Sequence, residues 1–565
     1  MSKSIKVFRK GKQPLTLTEN HYKGGGGEGA VYKRDRYAYK IYHDPSKMIS
    51  EDKIKELKKI KRKNVLNPID ILYNSKNKPI GFMMNYVKDT EYLCKLFVKN
   101  FKDQNGISTS NITNIVIEME KTLSDIHKYN MLVVDYNEMN FLIDKKFSIP
   151  YYIDVDSWQT KDHKAKALME TVRDRVTKYG EFTELTDWFS FAVVTFQLYT
   201  GLHPYRGGRH PNYKPRDWSK RMDDNVSVFN KDVALPKFIP SFSFIPKNYL
   251  AWYQEIFEKK VRSAPPSVAG TVSMPSIVVK VSGNDIFDIE LLGSFTGNIK
   301  GVYYIDGNRY IMTNKNVYFN TDNKTIFTFG SDIKNIRVGM ASIFNDTSPV
   351  IAYIKDTQCI FLDLRRTYQT AILADDFMEA NNAIYTVHGG KLIENTFEKF
   401  GKIIHKTKNV CNIYESAYKV FDSIVSQDIM GTCWLAIPYD IGKCAHVRMK
   451  ELDGYRIIDA KYCNRTAVII GEKAGLYNLF TIFFSKDGHS VYDIKKDDVS
   501  YHSINFVRKD EACVLIDNEK MTLFVDNIGR KELKNPPLDL SMKMYCENSD
   551  VMFANENKLY KVRMK

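Results

Sequence analysis

The chain has 565 residues, 43% hydrophobic and 27% charged, with a net charge of +16. That is too long for one ordinary domain, so two or three are expected, with ample material for packed cores. No run of eighteen apolar residues occurs, and the first residues, MSKSIKVFRKGKQPL, lack the apolar segment of a secretory signal. No membrane association and an intracellular, cytoplasmic location are therefore expected.

The eight cysteines form no C-x-x-C pair and no Cys/His cluster of zinc spacing, which fits reduced, buried thiols. The charge is uneven: residues 1–265 carry +15 and the remainder +1. A basic surface can meet nucleic acid or an acidic partner. Here KIKELKKIKRKN reads as an exposed helix face and no nucleic-acid motif accompanies it, so nucleic acid is not expected as a partner.

In chain order, residues 1–19 read as an N-terminal extension. GAVYK and YAYKIY come next as short strands, and Ser50 is placed to cap a helix from Glu51 to about Lys63. PIDILYN and PIGFMMNYV read as strands, and Ile112, Ile115, Val116, Met119, Leu123 and Ile126 then recur at helical spacing. NFLID and YYIDVD are short strands around a turn, and DWFSFAVVTFQLYT is an apolar helix stopped at Gly201. Strands first and helices afterwards predict a two-lobed α+β domain over 20–262, its lobes about 20–88 and 89–262. Residues 263–280 read as a Pro- and Ser-rich linker. From 281 to 565 strand-like runs alternate with turns near Asp306, Asp356, Gly389, Asp440, Glu472, Asn518 and Glu556. Their spacing, roughly 42 residues, predicts an all-β domain, a β-propeller of about seven blades. A pair of β-sandwiches is the other architecture this pattern allows.

Gly24, Gly26, Gly29 and Val31 match G-x-G-x-x-G-x-V, which a flexible linker would half satisfy. The neighbouring strand is more specific. Ala38 and Lys40 lie two apart on it and so share a face: the small residue can roof an adenine while the ammonium reaches phosphate. Such a lysine needs an acidic partner, and Glu56 on the next helix is best placed, with Glu51 as runner-up. Asp135 and Asn140 fit D-x-x-x-x-N, in which the Asp orients a hydroxyl and the Asn ligates Mg²⁺. His127 lies at the end of the helix preceding this loop. Asp154 ends a strand, where a carboxylate can bind the same ion. Asp187 opens the apolar helix, where it can cap and accept N–H groups from the Asp135 loop.

Together these residues resemble the protein kinase fold. The closer resemblance is to a divergent bacterial and phage kinase-like group with D-x-N-x-x-N, I-D-x-D-S-[FW]-Q and H-P-[FY]-x-G motifs, here DYNEMN, IDVDSWQ and HPYRG. The resemblance covers about 20–262 and adds a hinge from Met84 to Lys88. There are departures. Val133 and Val134 stand before Asp135, and Asn137 replaces a cation beside the transferring group. Asp156 adds a carboxylate, read as capping its turn in preference to ligating metal. Glu170 is the nearest counterpart of the acid that closes the activation segment. The second half carries no family resemblance.

The resemblance implies an ATP- and Mg²⁺-dependent kinase acting on Ser/Thr hydroxyls. Its catalytic residues would be Lys40, Glu56, Asp135 and Asn137, and its metal ligands Asn140 and Asp154. Gly24, Gly26, Gly29, Val31, Ala38, Lys40 and Met84 would hold nucleotide, and the β domain would recruit a protein substrate or partner. A pseudokinase or nucleotide-binding scaffold is the alternative, as is a structural role in a phage particle, which would make the protein virion-associated.

Overall fold

The computed structural model describes residues 4–25, 28–165, 168–235, 241–266, 283, 286–320, 324–330, 337–415, 417–485, 490–499, 501–509, 512–517, 520–525, 528–534, 536–547 and 550–565. Gly26, the turn at Asn518 and most of the expected linker lie outside the described residues. The chain divides into two compact units, the first chiefly Met1–Lys102 and Ile107–Ile277, the second chiefly Val278–Glu472 and Tyr477–Lys565. The first is mixed α+β and the second all-β.

In the first unit, strands β1 (Tyr22–Gly25), β2 (Gly29–Arg34), β3 (Tyr37–Tyr42), β4 (Asp70–Tyr73) and β5 (Pro79–Asn85) form an antiparallel sheet in the order β1-β2-β3-β5-β4. Helix α1 (Glu51–Leu57) lies between β3 and β4 in the chain, and the Ser50 hydroxyl accepts from the Lys53 N–H at its start. It is shorter than the sequence suggests. Beyond Leu57 come five cations in six residues, which repel one another along a helix face. One of them, Arg62, instead pairs at 2.7 Å with both Glu118 and Asp125. Nor is the face fully exposed, because Lys53 is buried.

Helix α2 (Thr109–His127) starts in a capping box of Ser108 and Asn111 and buries all six of the periodic apolar residues. Strands β6 (Phe141–Asp144) and β7 (Pro150–Tyr152) pair antiparallel beyond it. Helix α3 (Glu184–Thr200) is buried continuously from Thr186 and ends on Gly201 at φ +72°. Val193, Val194 and Thr195 are poor helix formers, by up to about 0.7 kcal/mol each. Burying side chains such as Val193, Val194, Phe191 and Phe196 contributes about 1.5–3 kcal/mol apiece and wins. Helix α4 (Lys247–Phe257) lays Tyr253 against Phe196, with ring centroids 5.4 Å apart.

The second unit is a series of four-stranded antiparallel meanders. Among the described residues there are five such sheets and one of eight strands. The eight-stranded sheet consists of two meanders, Val338–Leu373 and Asp376–Asn412, whose strands meet in parallel pairing at Ile343/Phe397 and Phe344/Glu398. One sheet combines the two ends of the unit: Phe287–Ser294 pairs with Lys558–Met564. Several expected turns are tight hairpins with left-handed residues, at Asp306–Gly307, Asp356–Thr357 and Gly389–Gly390. They are not equivalent turns: the first joins strands one and two of its meander, the others strands two and three.

Candidate functional site

Register assembles the site first. Val31 lies opposite Lys40, and Ala38 opposite Met84. Directly opposed residues share a face, so Val31, Ala38, Lys40 and Met84 stand together on one side of the sheet. Glycine also allows the close approach of these strands. A Cβ at Gly29 would lie 2.5 Å from the Ile41 carbonyl oxygen, so its smallness serves strand packing. Gly24, at φ +153°, has open space around it. Gly81, which the glycine motif does not include, is tighter still: a Cβ there would come within 2.0 Å of the Lys40 carbonyl oxygen. Its only sequence signal is a lone glycine inside an apolar strand.

Lys40 is buried, and its ammonium lies 2.7 Å from both Asp154 Oδ1 and Asp156 Oδ2. Glu28 is more distant, at 3.8 Å. Burial alone would lower the Lys40 pKa, but the two aspartates more than offset it and hold it above the ordinary lysine value. Asp156 also accepts the Tyr42 hydroxyl, whose ionisation is suppressed by burial and then by this carboxylate. Asp156 is therefore not the turn cap expected of it.

Glu56 is not the partner of Lys40. Its Oε2 lies 3.4 Å from His163 Nδ1, and His163 Nε2 is 3.0 Å from the Ser50 hydroxyl. Hydrogen bonds from Thr160 and His163 offset its burial and hold its pKa below the usual carboxylate value. The runner-up, Glu51, accepts from the Tyr73 hydroxyl instead. From helix α1 it is Lys53 that reaches the site, donating to the Asp156 carbonyl at 2.8 Å.

Asp135 sits on a strained turn. Val134 has φ +63°, a left-handed conformation costing a β-branched residue about 1–3 kcal/mol. The fully buried Asp187 holds it: Oδ2 accepts the Val133 N–H and Oδ1 the Val134 N–H, both at 2.8 Å. His127 Nε2 is 3.0 Å from the same carboxylate. Two hydrogen bonds to a charged group, at about 1.5–3 kcal/mol each, exceed the strain. Asp187 does not cap α3, whose N-cap is Thr183.

The Asp135 carboxylate accepts from the Met169 N–H at 2.8 Å and the Asn140 amide at 3.3 Å. Burial raises its pKa against these hydrogen bonds. Asn140 joins the two loops, since its carbonyl accepts from Ile153, next to Asp154, at 3.0 Å. Asn137 is used by the loop itself: buried, it caps the turn through the Met139 N–H at 2.8 Å and turns its amide toward the Asp135 carbonyl.

Glu170 is exposed and pairs with Arg173 and Arg175. The buried acid of this segment is Asp174, 1% exposed and bound through both oxygens by Arg262 at 2.7 Å. Sequence reasoning missed it, its one signal being an acid flanked by two arginines. His203 of HPYRG fastens the same segment through the Thr171 carbonyl at 2.8 Å.

No protein-family model matches this chain, and no curated protein matches its sequence.

Proposed function

We propose that the first unit is a protein kinase-like domain that transfers the γ-phosphoryl group of ATP to Ser/Thr hydroxyls with Mg²⁺. The observation that carries this reading is the meeting of Lys40 with Asp154 at 2.7 Å, 114 residues away in the chain, next to an Asn140 bonded to Asp135. Among the described residues no three His, Cys, Asp or Glu side chains converge into a self-sufficient metal site. That suits Mg²⁺, which is usually held by one or two carboxylates with substrate phosphates and waters; Asp154 and Asn140 would hold it here. Bound Mg-ATP would supply the transferable group and spread its developing charge. Lys40 would bind phosphate oxygens, backbone N–H groups of the glycine loop would cover them, and Val31, Ala38 and Met84 would face the base. Asp135 would orient the acceptor hydroxyl and take its proton as the new P–O bond forms and ADP leaves.

Phosphoryl transfer from Mg-ATP to a generic Ser/Thr substrate or to the chain itself tests this. Asp154→Ala and Asp135→Ala should each lose on the order of 10²–10⁴ in rate. Equal incorporation by wild type and both variants would sink the reading. Asn137 favours a second reading, a nucleotide-binding scaffold, because it leaves no cation beside the acceptor. Nucleotide-dependent thermal stabilisation without transfer would select that one.

We further propose that the second unit is a seven-bladed β-propeller that recruits the protein substrate or partner. The order of packing supports it. Shared apolar clusters join each meander from Ile299 to the one that ends at Val499 with its neighbour in the chain. Arg508 donates to Thr466 at 2.5 Å to link the next, and two further clusters return through Phe287 and Phe295 to the start. Tyr303, Glu379 and Tyr545, on edge strands of three of these sheets, lie within electrostatic reach of one another, as strands around one axis would.

A further inference from the structure

The two carboxylates on Lys40 differ in everything but distance. The Asp154 side chain is 39% exposed and its backbone is left-handed at φ +58°. The Asp156 side chain is 3% exposed. It is fixed on three sides: by Lys40, by the Tyr42 hydroxyl, and through its backbone carbonyl by Lys53. Its other carboxylate oxygen, Oδ1, is buried and accepts no hydrogen bond. Such an oxygen has no solvent to turn toward, so the group stays with the buried ammonium, whose isolation would be costly. Glu56 meanwhile is engaged by His163.

We infer that Asp156, not Glu56, is the positioning residue for Lys40, and that Asp154, the more exposed of the two carboxylates, is the one that exchanges from Lys40 to a cation when nucleotide enters. This rests on the nucleotide-binding reading of the site. Helix α1 then acts through a cation: Lys53 anchors the Asp156 backbone, and Asp156 passes that constraint to Lys40. When Asp154 turns to a metal, Lys40 keeps one counterion and its place.

The test is equilibrium binding of ADP to the full chain, with Mg²⁺ and in EDTA, alongside the thermal midpoint of each unliganded variant. Asp156→Asn should weaken binding about tenfold or more in both conditions, because Lys40 loses its fixed partner. Asp156→Glu should restore part of that affinity. Asp154→Asn should remove the gain that Mg²⁺ brings. Glu56→Gln should stay within about twofold of wild type. If Asp156→Asn unfolds, Lys40→Met with Asp156→Asn should recover the thermal midpoint, since neither charge is then buried alone; failure to recover it counts against the pairing. A tenfold loss in Glu56→Gln with unchanged binding in Asp156→Asn overturns the inference while leaving the site reading intact. A wild-type chain that binds no ADP overturns the site reading and this inference together.

Discussion

Asp187 shows how one side chain secures the geometry of another. It accepts the two N–H groups just before Asp135 and keeps Val134 left-handed. Asp187→Ala should therefore destabilise the first unit by about 3–5 kcal/mol, two charge-assisted hydrogen bonds plus exposed strain, measured by urea unfolding. A loss under about 1 kcal/mol would remove Asp187 from this role. The thiols permit a separate test. Burial pushes Cys359 and Cys433 up to about 12, whereas a hydrogen bond from Cys444 holds Cys411 below the ordinary thiol value. Only the thiolate reacts, so at pH 8 a thiol with pKa near 12 is about 10⁻⁴ ionised. Iodoacetamide at pH 8 on the folded chain should label Cys411 first and spare Cys359 and Cys433, as read by peptide mass spectrometry. Uniform labelling would contradict that order.

At the scale of elements, three helices were legible, the extent of α1 was not, and α4 (Lys247–Phe257) was not foreseen at all. The periodic apolar residues of α2 and the glycine stop of α3 are local signals, set by spacing and by φ at Gly201. The early end of α1 was not legible, because Arg62 leaves the helix for two acids more than fifty residues away. Gly81 belongs to this scale too. Gly81→Ala sets a methyl carbon against the Lys40 carbonyl, backbone that cannot swing aside. The expected cost is about 1–3 kcal/mol, a fall in Tm of several degrees, at roughly 2–4 °C per kcal/mol for a unit of this size. An unchanged Tm would show that β3 and β5 can part without penalty.

At the scale of the molecule, the switch from an α+β unit to an all-β unit is visible in sequence because hydrophobic period changes from helical to strand-like. The pairing of Phe287–Ser294 with Lys558–Met564 is not, since strands more than 260 residues apart carry no mark of each other. That strand covers what would otherwise be a sheet edge. Removing residues 287–294 should expose the backbone of 558–564, and hydrogen exchange should accelerate there first. Protection kept in 558–564 would mean that another strand covers the edge.

Legible without the fold were the order of the two units, three of the six α-helices among the described residues, and the set of residues Lys40, Asp135, Asn140 and Asp154, because each is written in local periodicity or short spacing. Tertiary structure alone decided their partners. It gave Lys40 to Asp156 and Glu56 to His163, turned Asn137 into its own loop, and made Asp174 the buried acid of Arg262. A charge pair depends on burial and distance, and neither can be read from separation along the chain: a buried ammonium takes the carboxylate that folding seals in beside it.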